Sequence, residues 1–214
     1  NDLEVEFAKR KRVAVLFISI NDRYWPYLTQ VIKDCRKNFL PQHKVDYFIW
    51  TDFSEQSKNA QLVGLDALFT KFMESSGEEK QLALNNFLSV FAQIMRLYEI
   101  FYIDLMQSVL KNLTDHGVQY KREGFKFWLE SAKPLTDEDV AVIYQESKRV
   151  LVYSQKDMDD TVNNTVITET ESIEWPHPTL MRYHLFLQQE EKLKDYDYIF
   201  YMDADMRVVA KISD

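Results

Sequence analysis

Val13-Ala14-Val15-Leu16-Phe17-Ile18-Ser19-Ile20 is a continuous apolar run, rich in β-branched and aromatic residues. A strand with one wet face alternates apolar and polar residues, whereas a strand covered on both faces reads as this one does. The run therefore predicts the first strand of a helix-covered, parallel sheet. Working outward, Asn21-Asp22-Arg23-Tyr24-Trp25-Pro26 reads as a loop, Tyr27 to Leu40 as an amphipathic helix ended by Pro41, and Val45 to Trp50 as the next strand, closing at Thr51-Asp52. Together they make a βαβ unit and an α/β fold class. In open sheets of this kind ligands bind beyond the carboxyl ends of the strands. That makes Ser19, Asn21 and Tyr24 the first candidate contacts, Tyr24 to stack on a base and Ser19 or Asn21 to hydrogen-bond it. An aromatic loop plug and an Asn turn residue are the plainer readings of the same positions.

The second informative stretch is Trp175-Pro176-His177-Pro178-Thr179-Leu180-Met181-Arg182-Tyr183-His184, followed by Asp195-Tyr-Asp-Tyr198-Ile-Phe-Tyr-Met202-Asp203-Ala204-Asp205-Met206. Tyr198 to Met202 reads as a buried, central strand that stops at two carboxylates spaced i, i+2. On an extended backbone these project to the same side and can reach one divalent cation. Ala204 between them leaves room for close approach, and hard oxygen ligands suit Mg²⁺ or Mn²⁺ bridging to a diphosphate. Before the strand, Pro176 and Pro178 end any earlier helix, and Thr179 reads as the cap of a helix running to about Lys194. Arg182 then falls in a first helical turn, an unfavourable place for a cation unless an anion is shared there. Pairing with Glu174 is the competing explanation. His177 and His184 have no partner at a metal-ligand spacing and read as structural or exposed.

Between residues 54 and 160 the period changes from strand-like to helical. Leu84, Phe87, Leu88, Phe91, Ile94, Met95, Tyr98, Phe101, Tyr102, Leu105, Val109 and Leu113 recur at three and four, predicting one helix from about Glu78 to Asp115. Shorter helices are expected near Ala60 to Glu74, Gly124 to Ser131 and Thr136 to Lys148, the last capped by Thr136 and Asp139. The domain reading is thus a first sheet segment at 12–53, a helical insertion at 54–160 and a second sheet segment at 161–214.

Composition bounds the function. A chain of 214 residues with 46% hydrophobic content can bury a sizeable core, and its net charge of −8 argues against nonspecific nucleic-acid binding, which needs a basic face. A diphosphate must then be met by local charge, for which a bound cation and Arg182 are the candidates. Cys35 is the single cysteine, so no intrachain disulfide forms, and it reads as a packing residue. No apolar run approaches the length that spans a bilayer.

With these residues in view, the chain resembles glycosyltransferase family 6, which includes the histo-blood-group A and B transferases, the α-1,3-galactosyltransferase and bacterial relatives. The resemblance covers about residues 12 to 53 and 166 to 214, carried by Val45-Asp-Tyr-Phe-Ile-Trp-Thr51-Asp52, by Trp175-Pro176-x-x-Thr179-Leu180-x-Arg182-Tyr183-His184 and by Asp197-Tyr-Ile-Phe-Tyr-Met-Asp203-Ala204-Asp205-Met206. It implies a GT-A fold, a twisted nucleotide-binding sheet, here with a large helical insertion. The implied activity is metal-dependent, retaining transfer of galactose or N-acetylgalactosamine from UDP-galactose or UDP-N-acetylgalactosamine to a glycan or glycolipid acceptor. Tyr24 matches the family's uracil-stacking aromatic, Ser19 and Asn21 match neighbouring uridine contacts, and Arg182 matches an arginine near the donor diphosphate. Asp203 and Asp205 match the aspartates that hold donor and Mn²⁺. Many bacterial relatives carry Asn at both aspartate positions and work without metal; this chain keeps the carboxylates. The helical insertion is not inherited from the family, and self-association or partner binding through it, in a degenerate transferase, is the alternative function. The acceptor site and the Glu proposed as nucleophile lie, in the family, beyond the point nine residues past Asp205 where this chain stops, so a truncated catalytic domain is expected. A cytoplasmic location follows if the protein is bacterial-like, or a Golgi lumen location with a membrane anchor absent from the chain.

Overall fold

In a computed structural model, which describes residues 10–174 and 176–213, the opening run forms β1 (Arg12–Ser19). The loop after it winds into one 3₁₀ turn (Asp22–Tyr24), and α1 (Trp25–Asn38) starts with Pro26 in its first turn, where a missing N–H costs nothing. β2 (Lys44–Thr51) then pairs parallel with β1 from Arg12↔Lys44 to Ser19↔Thr51. β5 (Val166–Glu169) adds to β2 and β6 (Tyr198–Tyr201) to β1, both parallel, giving the order β5-β2-β1-β6. The chain is therefore an α/β protein built on a parallel four-stranded sheet.

Two compact units divide the chain. One comprises the residues up to Ser54 and from Asp157 onward; the other is Glu55–Lys156. In the sheet unit, alternate β1 and β2 residues go to opposite faces, as the two-residue strand period requires. Val13, Val15, Phe17, Tyr47 and Ile49 pack with Leu28, Val31, Ile32 and Cys35 of α1 and with Met202 and Val208. Ala14, Leu16, Phe48 and Trp50 pack on the other face with Leu185, Phe186, Leu193 and Tyr196. Cys35 is buried with its thiol on the Met202 sulfur at 3.7 Å, and burial followed by the charge of Asp34 pushes its pKa up to about 12. It is a packing residue, not a nucleophile.

The last segment departs from expectation in three ways. The predicted helix from Thr179 to Lys194 is three short pieces, α6 (His177–Leu180), α7 (Arg182–Leu187) and α8 (Glu190–Leu193), and Thr179 lies inside the first rather than capping it. Leu185, Phe186 and Leu193 still reach the sheet face from these separate pieces. β6 is not central or buried: among the described residues it pairs with β1 alone, and Tyr198 and Ile199 are about half exposed. An apolar run does not reveal on how many sides its strand is paired. Trp175 lies outside the described residues.

The helical unit holds α2 (Glu55–Glu74), α3 (Gly77–Tyr98), α4 (Ile103–Asp115), the hairpin β3 (Val118–Glu123) with β4 (Lys126–Ser131), and α5 (Asp137–Val162), whose last turns belong to the sheet unit. Phe72, Phe87, Phe91, Met95, Tyr98, Val109, Leu113, Val140, Ile143 and Val150 form its core. The single helix predicted from Glu78 to Asp115 is broken at residues 99–102, where the Tyr98 carbonyl accepts from both Phe101 and Tyr102 amides at 3.1 Å. Ile100-Phe101-Tyr102-Ile103 are weak helix formers, and the break lets both halves bury their stripes in one core. The helix expected at Gly124 to Ser131 is instead one hairpin strand and its turn. Glu123 pairs with Lys126 around Gly124, whose φ of +57° suits glycine, and Phe127 and Leu129 are half-buried between exposed Lys126, Trp128 and Glu130. That alternation is the period of a strand.

Thr136 and Asp139 cap α5 reciprocally: the Thr136 amide donates to Asp139 Oδ2 at 2.9 Å and the Asp139 amide to Thr136 Oγ1 at 3.2 Å. The hydrogen bond from the Thr136 amide holds the Asp139 carboxyl below the usual range. Thr136→Ala should destabilise the protein by about 1 kcal/mol in chemical denaturation, the usual worth of an N-cap.

A second set of bonds ties the chain after β6 to α1. Arg207 Nε donates to Asp34 Oδ2 at 2.5 Å, the Val208 amide to the same oxygen at 3.2 Å, and Asn38 Nδ2 to the Val208 carbonyl at 2.6 Å. Burial raises the Asp34 pKa, but the bonds from Arg207, Gln30 and Val208 outweigh it, and the net shift is downward. A carboxyl with a depressed folded pKa stabilises the fold above its unfolded value of about 3.9 and loses that contribution as pH falls through the folded value. Asp34→Ala should therefore cost about 1.5–3 kcal/mol at pH 7, and its thermal midpoint should fall less steeply than wild type's below pH 4.

Candidate functional site

The candidate residues gather at one edge of the sheet because the strands are parallel and end in register. Ser19 closes β1 opposite Thr51 of β2, and Tyr201 of β6 lies opposite Leu16 of β1, so the chain leaves β6 at the same edge. From β1 the chain goes to β2 and β5 on one side, whereas β6 adds on the other side. The point where strand order reverses lies between β1 and β6, the place where open sheets of this kind commonly bind ligands. Asn21 and Tyr24 follow β1; Asp203 and Asp205 follow β6.

On the β1 side, Ser19 is buried at 1% exposure, and its Oγ has no hydrogen-bond partner among the described residues. Asn21 combines a φ of +80° with a ψ of 132°, outside the left-handed helical well and strained for a residue that carries a Cβ. Three bonds hold it: its amide donates to Asp52 Oδ1 at 3.0 Å, its Oδ1 accepts from the Arg23 amide at 3.1 Å, and its carbonyl accepts from the Tyr24 amide at 3.1 Å. Asp52, at the end of β2, is thus the anchor of the β1 loop. The Tyr24 ring is half-buried, with the Arg23 guanidinium carbon 4.9 Å from its centroid and Arg23 Nη2 donating to its hydroxyl at 3.2 Å. One ring face therefore carries a cation.

On the β6 side, the two carboxylates do not sit on an extended backbone. The Met206 amide donates to the Asp203 carbonyl at 3.1 Å, closing a turn over residues 203–206. The same-side geometry expected from i, i+2 spacing does not apply, because the strand stops at Tyr201; the turn instead brings both exposed carboxylates onto one bend, with Ala204 buried beneath. Asp suits the first position of such a turn.

Tyr201 links this turn to Arg182. Its hydroxyl donates to Asp203 Oδ1 at 2.6 Å, and the Arg182 guanidinium carbon lies 4.7 Å above its ring. Burial, the hydrogen bond to Asp203 and the charge of Asp203 all push the Tyr201 pKa up, with Arg182 opposing, so the hydroxyl remains a donor at neutral pH. Arg182 Nε donates to the Thr179 carbonyl at 3.2 Å, which leaves the two terminal nitrogens without a protein partner among the described residues. Arg182 hydrogen-bonds to the Thr179 carbonyl instead of pairing with Glu174, and α7 has only six residues, so the helix-dipole argument for Arg182 has little force. Its orientation comes from the Tyr201 ring and Thr179. His184 is exposed, and the His177 ring hydrogen-bonds the Glu174 carbonyl through Nδ1 at 3.1 Å.

Among the described residues no group of three or more His, Cys, Asp or Glu side chains could hold a metal ion. Asp203 and Asp205 are at most a two-carboxylate donor set. That set fits Mg²⁺ or Mn²⁺, which keep water and take phosphate oxygens from a substrate, and does not fit an all-protein zinc cage. Cavities of about 390 Å³ and 650 Å³ lie in the helical unit, lined in one case by Asn85, Ser89, Arg96, Phe125 and Phe127 and in the other by Asp66, Lys71 and Glu79. Neither holds any candidate residue. The strand-end site is preferred on chemistry: two carboxylates, a free guanidinium fork and an aromatic loop converge there on one edge.

Sequence reasoning missed Tyr201, Asp52 and the Asp34–Arg207 pair. Tyr201 had a signal: it is the last aromatic of the strand run and stands two residues before Asp203. No signal in the sequence joins Asp34 to Arg207. No family model, curated protein or solved structure matches the chain.

Proposed function

We propose that this protein is a metal-dependent glycosyltransferase that takes galactose or N-acetylgalactosamine from a UDP donor, with retention, to a glycan acceptor. The observation that carries the reading is the arrangement at the reversal of strand order. A loop presenting Asn21 and Tyr24 follows β1, a turn presenting Asp203 and Asp205 follows the neighbouring strand β6 at the same edge, and Arg182 is coupled to that turn through Tyr201. The similarity of these motifs to glycosyltransferase family 6 supports the same reading from the sequence.

In this reading Tyr24 and Asn21 receive the nucleoside, with Ser19 as a buried hydroxyl beneath the loop. The free Nη groups of Arg182 donate to diphosphate oxygens, a geometry its planar fork suits better than an ammonium would. Asp203 and Asp205 would hold a divalent cation, which when bound supplies Lewis-acid neutralisation of the leaving diphosphate. Donors fixed where charge develops stabilise departure more than ground-state binding, which is what raises the rate. The protein's net charge of −8 makes that local positive charge necessary.

A second reading, an assembly role for the helical unit, is favoured by one observation: Phe125 at the hairpin turn is 85% exposed beside the 390 Å³ cavity. Trp128, 40% exposed, lines the same cavity, and exposed apolar side chains gathered in one place mark contact surfaces. Under that reading the wild-type chain has the solution mass of an oligomer, and Phe125→Glu reduces it to a monomer; a monomeric wild type counts against it.

For the transferase reading, calorimetric titration should show UDP binding strengthened at least tenfold by Mn²⁺ in the wild type. Asp205→Asn should lose that gain while keeping the wild-type unfolding transition. Undiminished Mn²⁺-dependent affinity in Asp205→Asn would remove Asp205 from the metal site.

A further inference from the structure

We propose that Tyr201 is the positioning residue of the strand-end site, with its hydroxyl aiming the Asp203 carboxylate and its ring seating the Arg182 guanidinium. The inference deepens the donor-site reading and rests on it only for what the two groups bind.

Three observations carry it. First, the hydroxyl occupies Asp203 Oδ1 at 2.6 Å, so Oδ2 is the oxygen left to face a cation, and the rotamer of the carboxylate is set before any ligand arrives. Outer partners of metal-binding carboxylates commonly act in this way. Second, the ring carries Arg182 at 4.7 Å while the Thr179 carbonyl takes Nε, so ring and carbonyl together aim the Nη pair away from the protein. A guanidinium without such a seat must lose several rotamers on binding an anion, at a cost in affinity. Third, Tyr201 is itself fixed. It ends a strand paired with Leu16, and Phe186 packs against it at 5.7 Å between ring centroids. Phe186 in turn meets Trp50 at 5.1 Å, so the ring stands on the sheet's second core rather than on the exposed turn. One side chain thereby sets the spacing between a cation-facing carboxylate and an anion-facing guanidinium. A substrate with negative charge bridged by a metal, as a nucleoside diphosphate has, needs both at a set distance.

The two functions separate by substitution. Tyr201→Phe removes the hydroxyl and keeps the ring; Tyr201→Leu removes both. In calorimetry, Tyr201→Phe should lower the Mn²⁺ enhancement of UDP affinity about tenfold and leave metal-free UDP binding at the wild-type value. Tyr201→Leu should in addition lose the metal-free preference for UDP over uridine. A merely structural role would weaken every ligand alike in both variants. Wild-type behaviour in Tyr201→Phe, or uniform weakening, overturns the proposal.

Nuclear magnetic resonance of the ligand-free protein tests the same claim without a nucleotide. The Arg182 Nε–H resonance should be ring-current shifted in wild type and Tyr201→Phe and return to its ordinary position in Tyr201→Leu, and the Asp203 carboxyl carbon should shift in both variants. An Arg182 resonance that does not move in Tyr201→Leu, or an Asp203 carboxyl carbon that does not move in Tyr201→Phe, overturns the proposal. A wild type that shows these signatures and binds no UDP upholds Tyr201 as the positioning residue and sinks the donor-site reading alone.

Discussion

Everything in the sheet unit depends on β1 being paired on both edges and covered on both faces. Val13, Ala14, Val15 and Phe17 have no exposed surface at all, β2 pairs along the whole strand, and β6 pairs from Val13 to Leu16. A backbone removed from water in this way must bond its amides and carbonyls to neighbouring strands, and that demand fixes register. Since the strands are parallel, fixed register places the ends of β1, β2 and β6 at one edge. The candidate site is thus a consequence of burial elsewhere, and its polar residues begin where the apolar runs stop.

The chain beyond β6 has no strand to hold it, and hydrogen bonds to α1 take over. Ile212 donates to the Asn38 carbonyl at 2.8 Å and accepts from the Leu40 amide at 2.9 Å, while Arg207 and Val208 bind Asp34. The turn at 203–206 is therefore pinned at both ends, by β6 before and α1 after. Ala204 and Val208 contribute to the core between them. A turn held this way presents its carboxylates with little conformational freedom left to lose.

The sequence revealed elements whose signal is local and missed arrangements that depend on distant partners. β1, α1 and β2 were legible because Val13 to Ile20 and Val45 to Trp50 are unbroken apolar runs around a helix bounded by prolines. The Thr136–Asp139 cap was legible because it is a bond between residues three apart. The break after Tyr98 was not, because Ile94, Met95, Tyr98, Phe101, Tyr102 and Leu105 keep the helical spacing across it, and only the packing of two halves into one core decides it. The edge position of β6 was hidden for the same reason: pairing is a property of the sheet, and Tyr198-Ile-Phe-Tyr carries no mark of it. At the site, the individual residues could be named from motifs, yet their coupling through Tyr201 needed the geometry of the strand end.

That coupling also explains how an acidic chain can keep a cation beside exposed carboxylates without collapsing the pair into a salt bridge. Arg182 and Asp203 share Tyr201, one through the ring face and the other through the hydroxyl. A ring attracts a guanidinium by its quadrupole, worth about 0.5–1 kcal/mol at exposed sites, which is enough to seat the side chain and too little to consume its hydrogen-bonding capacity. Direct ion pairing would have satisfied both charges and left neither for a ligand. An aromatic residue that contacts both holds the two charges in one place without pairing them, so that each keeps hydrogen-bonding capacity of its own.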